Sequence, residues 1–279
     1  MVALDPRINP FRPDLAAGYL QGKVDAKRFV DGSRRQVIAA QTAVRHAPMP
    51  DAPLLTEALL GETVTVYETT DEGWAWCQIE TDNYVGWLAD GALGPDGATP
   101  THKVVVPRTL GFSGPDIKLP PVIALPMGAR LAIARQDERF AITASGLHIP
   151  AVHLVSLESG QLDFVAVAEQ FLATPYVWGG KTSLGIDCSG LVQMSLQAAG
   201  VQCPRDSDMQ EMALGKLTPL ANLQRGDLLF WKGHVAIARD AKTIIHANAH
   251  HMAVAIEPVS DAIARIKAAG SDVISVKRL

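Results

Sequence analysis

The stretch GIDCSGLVQMSLQAAG, residues 185–200, begins a helix with a cysteine. Asp187 is a strong N-cap residue, and Leu191, Val192, Ser195 and Ala199 fall on the face that Cys188 starts. Gly200 supplies the stop. A cysteine so placed is either a small apolar core residue or a nucleophile. Only the thiolate attacks, and a free thiol with a pKa of about 8.5 supplies little of it at neutral pH. A helix N-terminus brings the positive end of the dipole and unpaired N–H groups beside the sulfur. The same N–H groups suit the oxyanion of a tetrahedral intermediate. The position predicts an activated thiol.

Downstream, GDLLFW (226–231), HVAIAR (234–239), TIIHAN (243–248) and MAVAIEP (252–258) read as strands. DAIARIKAAG is a late helix and DVISVK a last strand. A hairpin turning near Asp240 pairs residues whose numbers sum to about 480, which sets His234 opposite His246 with Cβ atoms roughly 4.5–5.5 Å apart. One imidazole then takes the thiol proton while the other holds its tautomer. Upstream, DFVAVAEQFLAT (163–174) is a helix ended by Pro175, and PYVWGGKTSLGI is a glycine-punctuated loop. Helices followed by an antiparallel meander make an α+β domain.

The N-terminal half has another texture. Residues 1–47 read as an extension, Pro-rich at first, with a short helix around Asp14 to Leu20. From Ala52, Val64 and Val66, Trp74 and Trp76, and Tyr84 to Trp87 form period-two runs between polar turns, as in a small antiparallel barrel. A fainter copy follows, in which GARLAI from Gly128 matches GETVTV from Gly61, with RFAIT as a later strand. The expected layout is a barrel over 48–98, a second over 99–157 and a catalytic domain over 158–279.

PYVWGGKTSLGIDCSGLV, RGDLLFWKGHVAIAR and TIIHAN, in that order, resemble the NlpC-type cysteine peptidases, papain-like bacterial enzymes that cut peptidoglycan peptides. The resemblance runs through about 165–258. It implies a papain-like catalytic domain with Cys188 as nucleophile, His234 as general base and His246 as the orienting third member. Tyr176 then lies near the active-site entrance. The preceding barrels resemble bacterial SH3 domains, mainly in LLGETVTV and NYVGW, as in the γ-D-glutamyl-L-diamino-acid endopeptidases. That branch implies substrate contacts from Asp187, Ser189 and Ser207, and from Glu57 and Tyr84 of the first barrel around a free N-terminal L-Ala. An acidic group facing an ammonium accepts a free amine and rejects a continuing chain. The implied substrate is a small murein peptide cut between γ-D-Glu and diaminopimelate or Lys, without metal or other cofactor. A transferase using the same thioester, an amidase and a muropeptide-binding module are the alternatives.

Other residues carry blander readings. Cys77 and Cys203 are core or surface thiols, and Trp74, Trp76, Trp87 and Trp178 pack in a core or cleft. His250 and His251 belong to an exposed turn. A zinc site of Cys188, His234 and His246 lacks a fourth ligand and short paired spacings. The 279 residues suffice for several domains, and a net charge of −4 argues against nucleic acid or an anionic membrane as partner. No stretch approaches the roughly 18 apolar residues of a membrane span. The opening residues have no apolar run of a secretory signal, and three cysteines form no disulfide framework, so a cytoplasmic location is expected. Oligomeric state has no signature in the chain.

Overall fold

A computed structural model describes residues 4–159 and 163–279. The first three residues of the expected extension, and residues 160–162 near the head of the expected catalytic domain, lie outside the described residues. The chain divides into two compact units, Met1–Val104 with Thr109–Leu157, and Val105–Arg108 with Glu158–Leu279.

In the first unit a seven-stranded antiparallel sheet runs from Leu54–Leu59 at one edge to Leu93–Pro95 at the other. Its core gathers Val37, Val44, Val64, Cys77, Ile79 and Leu88 among others. Two of its strands, Ser33–Val37 and Gln41–Arg45, come from the segment read as an extension over 1–47, so the sheet begins earlier than that reading placed it. SRRQV and QTAVR contribute only Val37 and Val44 to the core cluster, and no apolar alternation marks them. The helix expected around Asp14 to Leu20 is one 3-10 turn, Gly18–Leu20, behind Ala16–Ala17, which pairs in parallel with Phe29–Val30. So short a segment gains too little from helical hydrogen bonds to hold a helix against that pairing. A three-stranded and a five-stranded sheet follow, with Phe140–Thr143 of RFAIT in the larger.

Among its described residues the second unit holds four α-helices, α1 (Phe164–Glu169), α2 (Cys188–Ala198), α3 (Ser207–Ala213) and α4 (Val259–Ala268). They accompany a six-stranded sheet ordered Lys216–Leu217, Ser275–Arg278, Leu228–Trp231, His234–Ala238, Thr243–Asn248, Ala253–Pro258. α2 packs against the His234–Ala238 and Thr243–Asn248 strands. α4 covers the face carrying Ala236, Ala238 and Ile244, with Ala262 buried among them. Helix α1 stops short of Thr174 because the chain turns through Ala173, at φ 65°, before Pro175. The α+β class, with β-rich structure earlier in the chain, stands.

Candidate active site

The head of α2 is built from backbone and one ion pair. Asp187 caps the helix, its carboxylate accepting from the N–H of Gly190 at 2.7 Å and of Gly179 at 2.8 Å. Arg205 grips the same carboxylate with both terminal nitrogens, at 2.9 and 2.8 Å. Ser189 Oγ donates to Asp187 at 3.2 Å and accepts from Arg205 at 2.9 Å. The loop before α2 lies so close that a Cβ on Gly190 would sit 2.4 Å from the Gly180 carbonyl oxygen. Cys188 is thereby fixed at the first helical position, and Gly200, at φ 82°, ends the helix turn.

The sheet supplies the histidines. The hairpin pairs Ile237 with Ile245 and Ala238 with Ile244, a sum of 482 rather than the expected 480. Asp240 opens the turn instead of centring it, its carboxylate accepting from the N–H of Lys242 and Thr243. Direct opposition of His234 and His246 is therefore corrected to a diagonal. A slip of two in the sum preserves parity, so both side chains keep one face, and a diagonal pair is still within ring reach. His234 Nε2 and His246 Nδ1 are 2.8 Å apart. The diagonal repeats one strand further on. His246 pairs with Ala255, and Glu257, two residues along, meets His246 Nε2 through Oε1 at 2.7 Å. Arg265, from α4, pairs with the same carboxylate oxygen.

Cys188 is 7 % exposed, less open than an activated thiol requires. Burial pushes its thiol up to about 12, with the Asp187 charge adding to the rise, while the N–H groups of Val235 and Ser189 pull the other way. The lowered pKa expected from the helix terminus alone is overturned by desolvation. The Val235 hydrogen bond sets the sulfur against the start of the strand that His234 opens. Burial also pushes His234 and His246 down to about 3, in His234 with help from His246 and in both from Arg265. Burial thus favours the uncharged forms at this site, a protonated thiol and neutral imidazoles.

Tyr176 is sewn between Ile186 and Met252 by backbone pairing, and burial, then Cys188 and Asp187, push its phenol up to about 12. Ser207 is half-buried at the first position of α3. Asp187 and Ser189 are buried in the Arg205 network. In the first unit, half-buried Glu57 accepts from Gln41 Nε2 at 3.0 Å, and Tyr84 is buried in the sheet's core. Cys77 and Cys203 are buried and neither forms a disulfide. His250 and His251 sit on an exposed turn. His246, His251 and Glu257 offer ligand atoms within 4.8 Å of one another, yet the His246–Glu257 hydrogen bond would have to open for them to share a metal.

Arg205, Glu257 and Arg265 were not singled out by the sequence. A signal for Glu257 exists: it shares strand parity with Ala253 and Ala255, where an acid breaks a run of small residues.

Residues 173–269 match the NlpC/P60 family and residues 44–93 the bacterial dipeptidyl-peptidase Sh3 domain. The chain is 30% identical to dipeptidyl-peptidase 6 of Lysinibacillus sphaericus, over 76% of this chain and 86% of that one. It is 24% identical to a gamma-D-glutamyl-L-lysine dipeptidyl-peptidase of Bacillus cereus, over 88% of this chain and 90% of that one. A solved NlpC/P60 family protein from Bacillus cereus shares the fold with a TM-score of 0.76 at 20% identity, over 88% of this chain and 99% of that one. No helix among the described residues is long and apolar enough to cross a membrane.

Proposed function

This chain belongs to the NlpC/P60 family of cysteine peptidases, and from that premise we propose that it hydrolyses the bond between γ-D-Glu and the diamino acid of small murein peptides bearing a free N-terminal L-Ala. The observation that carries the reading is the hydrogen-bonded His234–His246 pair beside a cysteine whose sulfur accepts from the Val235 N–H.

Cys188 attacks the γ-carbonyl carbon as His234 takes its proton. Asp187 holds the Gly190 N–H, so the Cys188 N–H and the protonated Tyr176 hydroxyl are the proposed donors to the developing oxyanion. His234 returns the proton to the departing diamino acid nitrogen, leaving an L-Ala-γ-D-Glu thioester on Cys188. Water, deprotonated by His234, releases the dipeptide. Asp187 holds the helix start, and Ser189 and Ser207 are the proposed substrate contacts within this unit. Selection for the free amine is assigned to the acidic Glu57, since Tyr84 is buried in the core of its sheet. Such a dipeptide-releasing activity suits cytoplasmic recycling of wall fragments, and the name of the Bacillus cereus relative supports the bond chosen.

The test is mass spectrometry of products from L-Ala-γ-D-Glu-L-Lys, its diaminopimelate counterpart and their N-acetylated forms. Free L-Ala-D-Glu and diamino acid are expected, with no product from Cys188→Ala. Acetylation should weaken binding by roughly 10- to 150-fold, the loss of a charge-assisted hydrogen bond of about 1.5–3 kcal/mol. Products that appear only when an acceptor amine is added would replace hydrolysis by acyl transfer, and binding without turnover would leave a binding module. Equal rates on free and acetylated peptides would refute amine selection.

A further inference from the structure

The contacts behind the histidines determine more than their orientation. His246 is 1 % exposed, with Nδ1 on His234 Nε2 and Nε2 on Glu257 Oε1. Burial keeps both imidazoles neutral at neutral pH, and Arg265 reinforces this for each. A neutral imidazole carries one N–H and one lone pair, whereas an ionised carboxylate only accepts. Arg265, always a donor, holds Glu257 in that accepting role.

The proton positions then follow in order. His246 Nε2–H donates to Glu257, so His246 Nδ1 is a lone pair. His234 Nε2–H must donate to it, which leaves the lone pair of His234 on Nδ1. We propose that Glu257, held by Arg265, is a positioning residue that sets the tautomers of both histidines and makes Nδ1 of His234 the atom that takes the Cys188 proton. This rests on the peptidase reading of the same site. An acid that merely anchored α4 to the sheet would impose no order on the imidazoles.

Glu257→Leu and Glu257→Gln separate these roles. His246 Nε2 and Arg265 meet the same carboxylate oxygen, so a glutamine oxygen at that place accepts from both and keeps the order of donors. Leucine offers His246 Nε2–H no acceptor. The imidazoles then lose the partner that fixes their protons, and the form with the proton on His234 Nδ1, the atom needed as base, becomes populated. A wrong tautomer in the analogous serine triad costs on the order of 10⁴-fold in kcat, and one step further from the reacting atom we expect about 10²-fold for Glu257→Leu. Glu257→Gln should stay within about threefold of wild type.

The experiment uses the full chain, with 15N NMR of the histidine side chains, kcat and KM on L-Ala-γ-D-Glu-L-Lys, and thermal unfolding. Wild type should show protons on Nε2 of both histidines. Glu257→Gln should keep them there, whereas Glu257→Leu should show Nδ1 protons and a lower kcat with KM near wild type. Wild-type protons on Nδ1, a Glu257→Gln protein with its protons moved to Nδ1, or a folded Glu257→Leu protein within about twofold of wild-type kcat would each overturn the proposal. The wild-type spectrum needs no variant to fold. A wild-type protein inactive on the peptide while its spectrum shows the stated tautomers would count against the substrate reading and leave the tautomer assignment intact.

Discussion

Two carboxylate–arginine pairs flank the reacting groups, and they act in opposite ways. On the helix side, Asp187 receives Arg205, two backbone N–H groups and the Ser189 hydroxyl, all fixed donors at neutral pH. The Arg205 side chain is 1 % exposed. On the sheet side, Glu257 receives the partly exposed Arg265 and one imidazole. A neutral imidazole can carry its proton on either nitrogen. The first carboxylate ends a framework; the second ends a line of proton positions. A buried acid's role is thus read from what donates to it more than from its distance to the nucleophile.

Replacing each arginine by methionine is the severest test of that contrast. Arg205→Met strands a buried Asp187 charge and should destabilise the protein by about 3–5 kcal/mol. Arg265→Met breaks a pair with solvent access and should cost about 1 kcal/mol or less. Urea unfolding of the two variants measures both, and equal losses would erase the distinction between framework and relay.

The second difference is in acid sensitivity. Both imidazoles on the sheet side are pushed down to about 3 by burial, against about 6.5 in an unfolded chain. Between those values the unfolded chain binds protons that the folded one refuses. The stability tied to these groups is therefore complete above about pH 6.5 and is lost as the pH falls toward 3. His246→Gln removes one such group. Between pH 7 and 4.5 the variant should lose less stability than wild type, by on the order of 2 kcal/mol. Parallel unfolding curves for the two proteins would mean that His246 is not held neutral by the fold.

What the sequence made legible follows from where the determinants lie. Cys188 was readable because its N-cap and its stop, Asp187 and Gly200, are local signals. The His234–His246 contact was readable through strand parity, which survived a turn displaced by its own Asp240. Glu257 continues the same parity on the next strand, but an acid in MAVAIEP looks like a solvated strand end until α4 is placed over that face. Arg205, in PRDSDMQ, reads as a surface loop residue. Its burial arises only when the loop folds back over the head of α2, a tertiary event with no local period. The strands Ser33–Val37 and Gln41–Arg45 escaped for a related reason: backbone pairing, with only Val37 and Val44 given to the core cluster, holds them in the sheet.

The smallest expected effect is the most specific to the relay, and it concerns the activity of His246→Gln. Glutamine has an oxygen that accepts and an NH2 that donates. With its oxygen toward His234 Nε2–H and its NH2 toward Glu257, it reproduces the donor order of the imidazole it replaces. Substitution at His246 by glutamine should then lower kcat only about tenfold, a loss of geometry rather than of tautomer, equivalent to about 1.4 kcal/mol. His234→Ala removes the base itself and should be about as damaging as loss of Cys188, because groups that act as a unit fail together. Acceptance is what matters at both positions: at 246 the amide reproduces the donor order of the imidazole, and at 257 a glutamine oxygen accepts from His246 and Arg265 together, whereas a leucine there accepts from neither. Steady-state kcat and KM for the folded variants decide the matter. A His246→Gln protein as inactive as His234→Ala would mean that His246 itself carries the proton, and the roles of base and orienting residue would have to be exchanged.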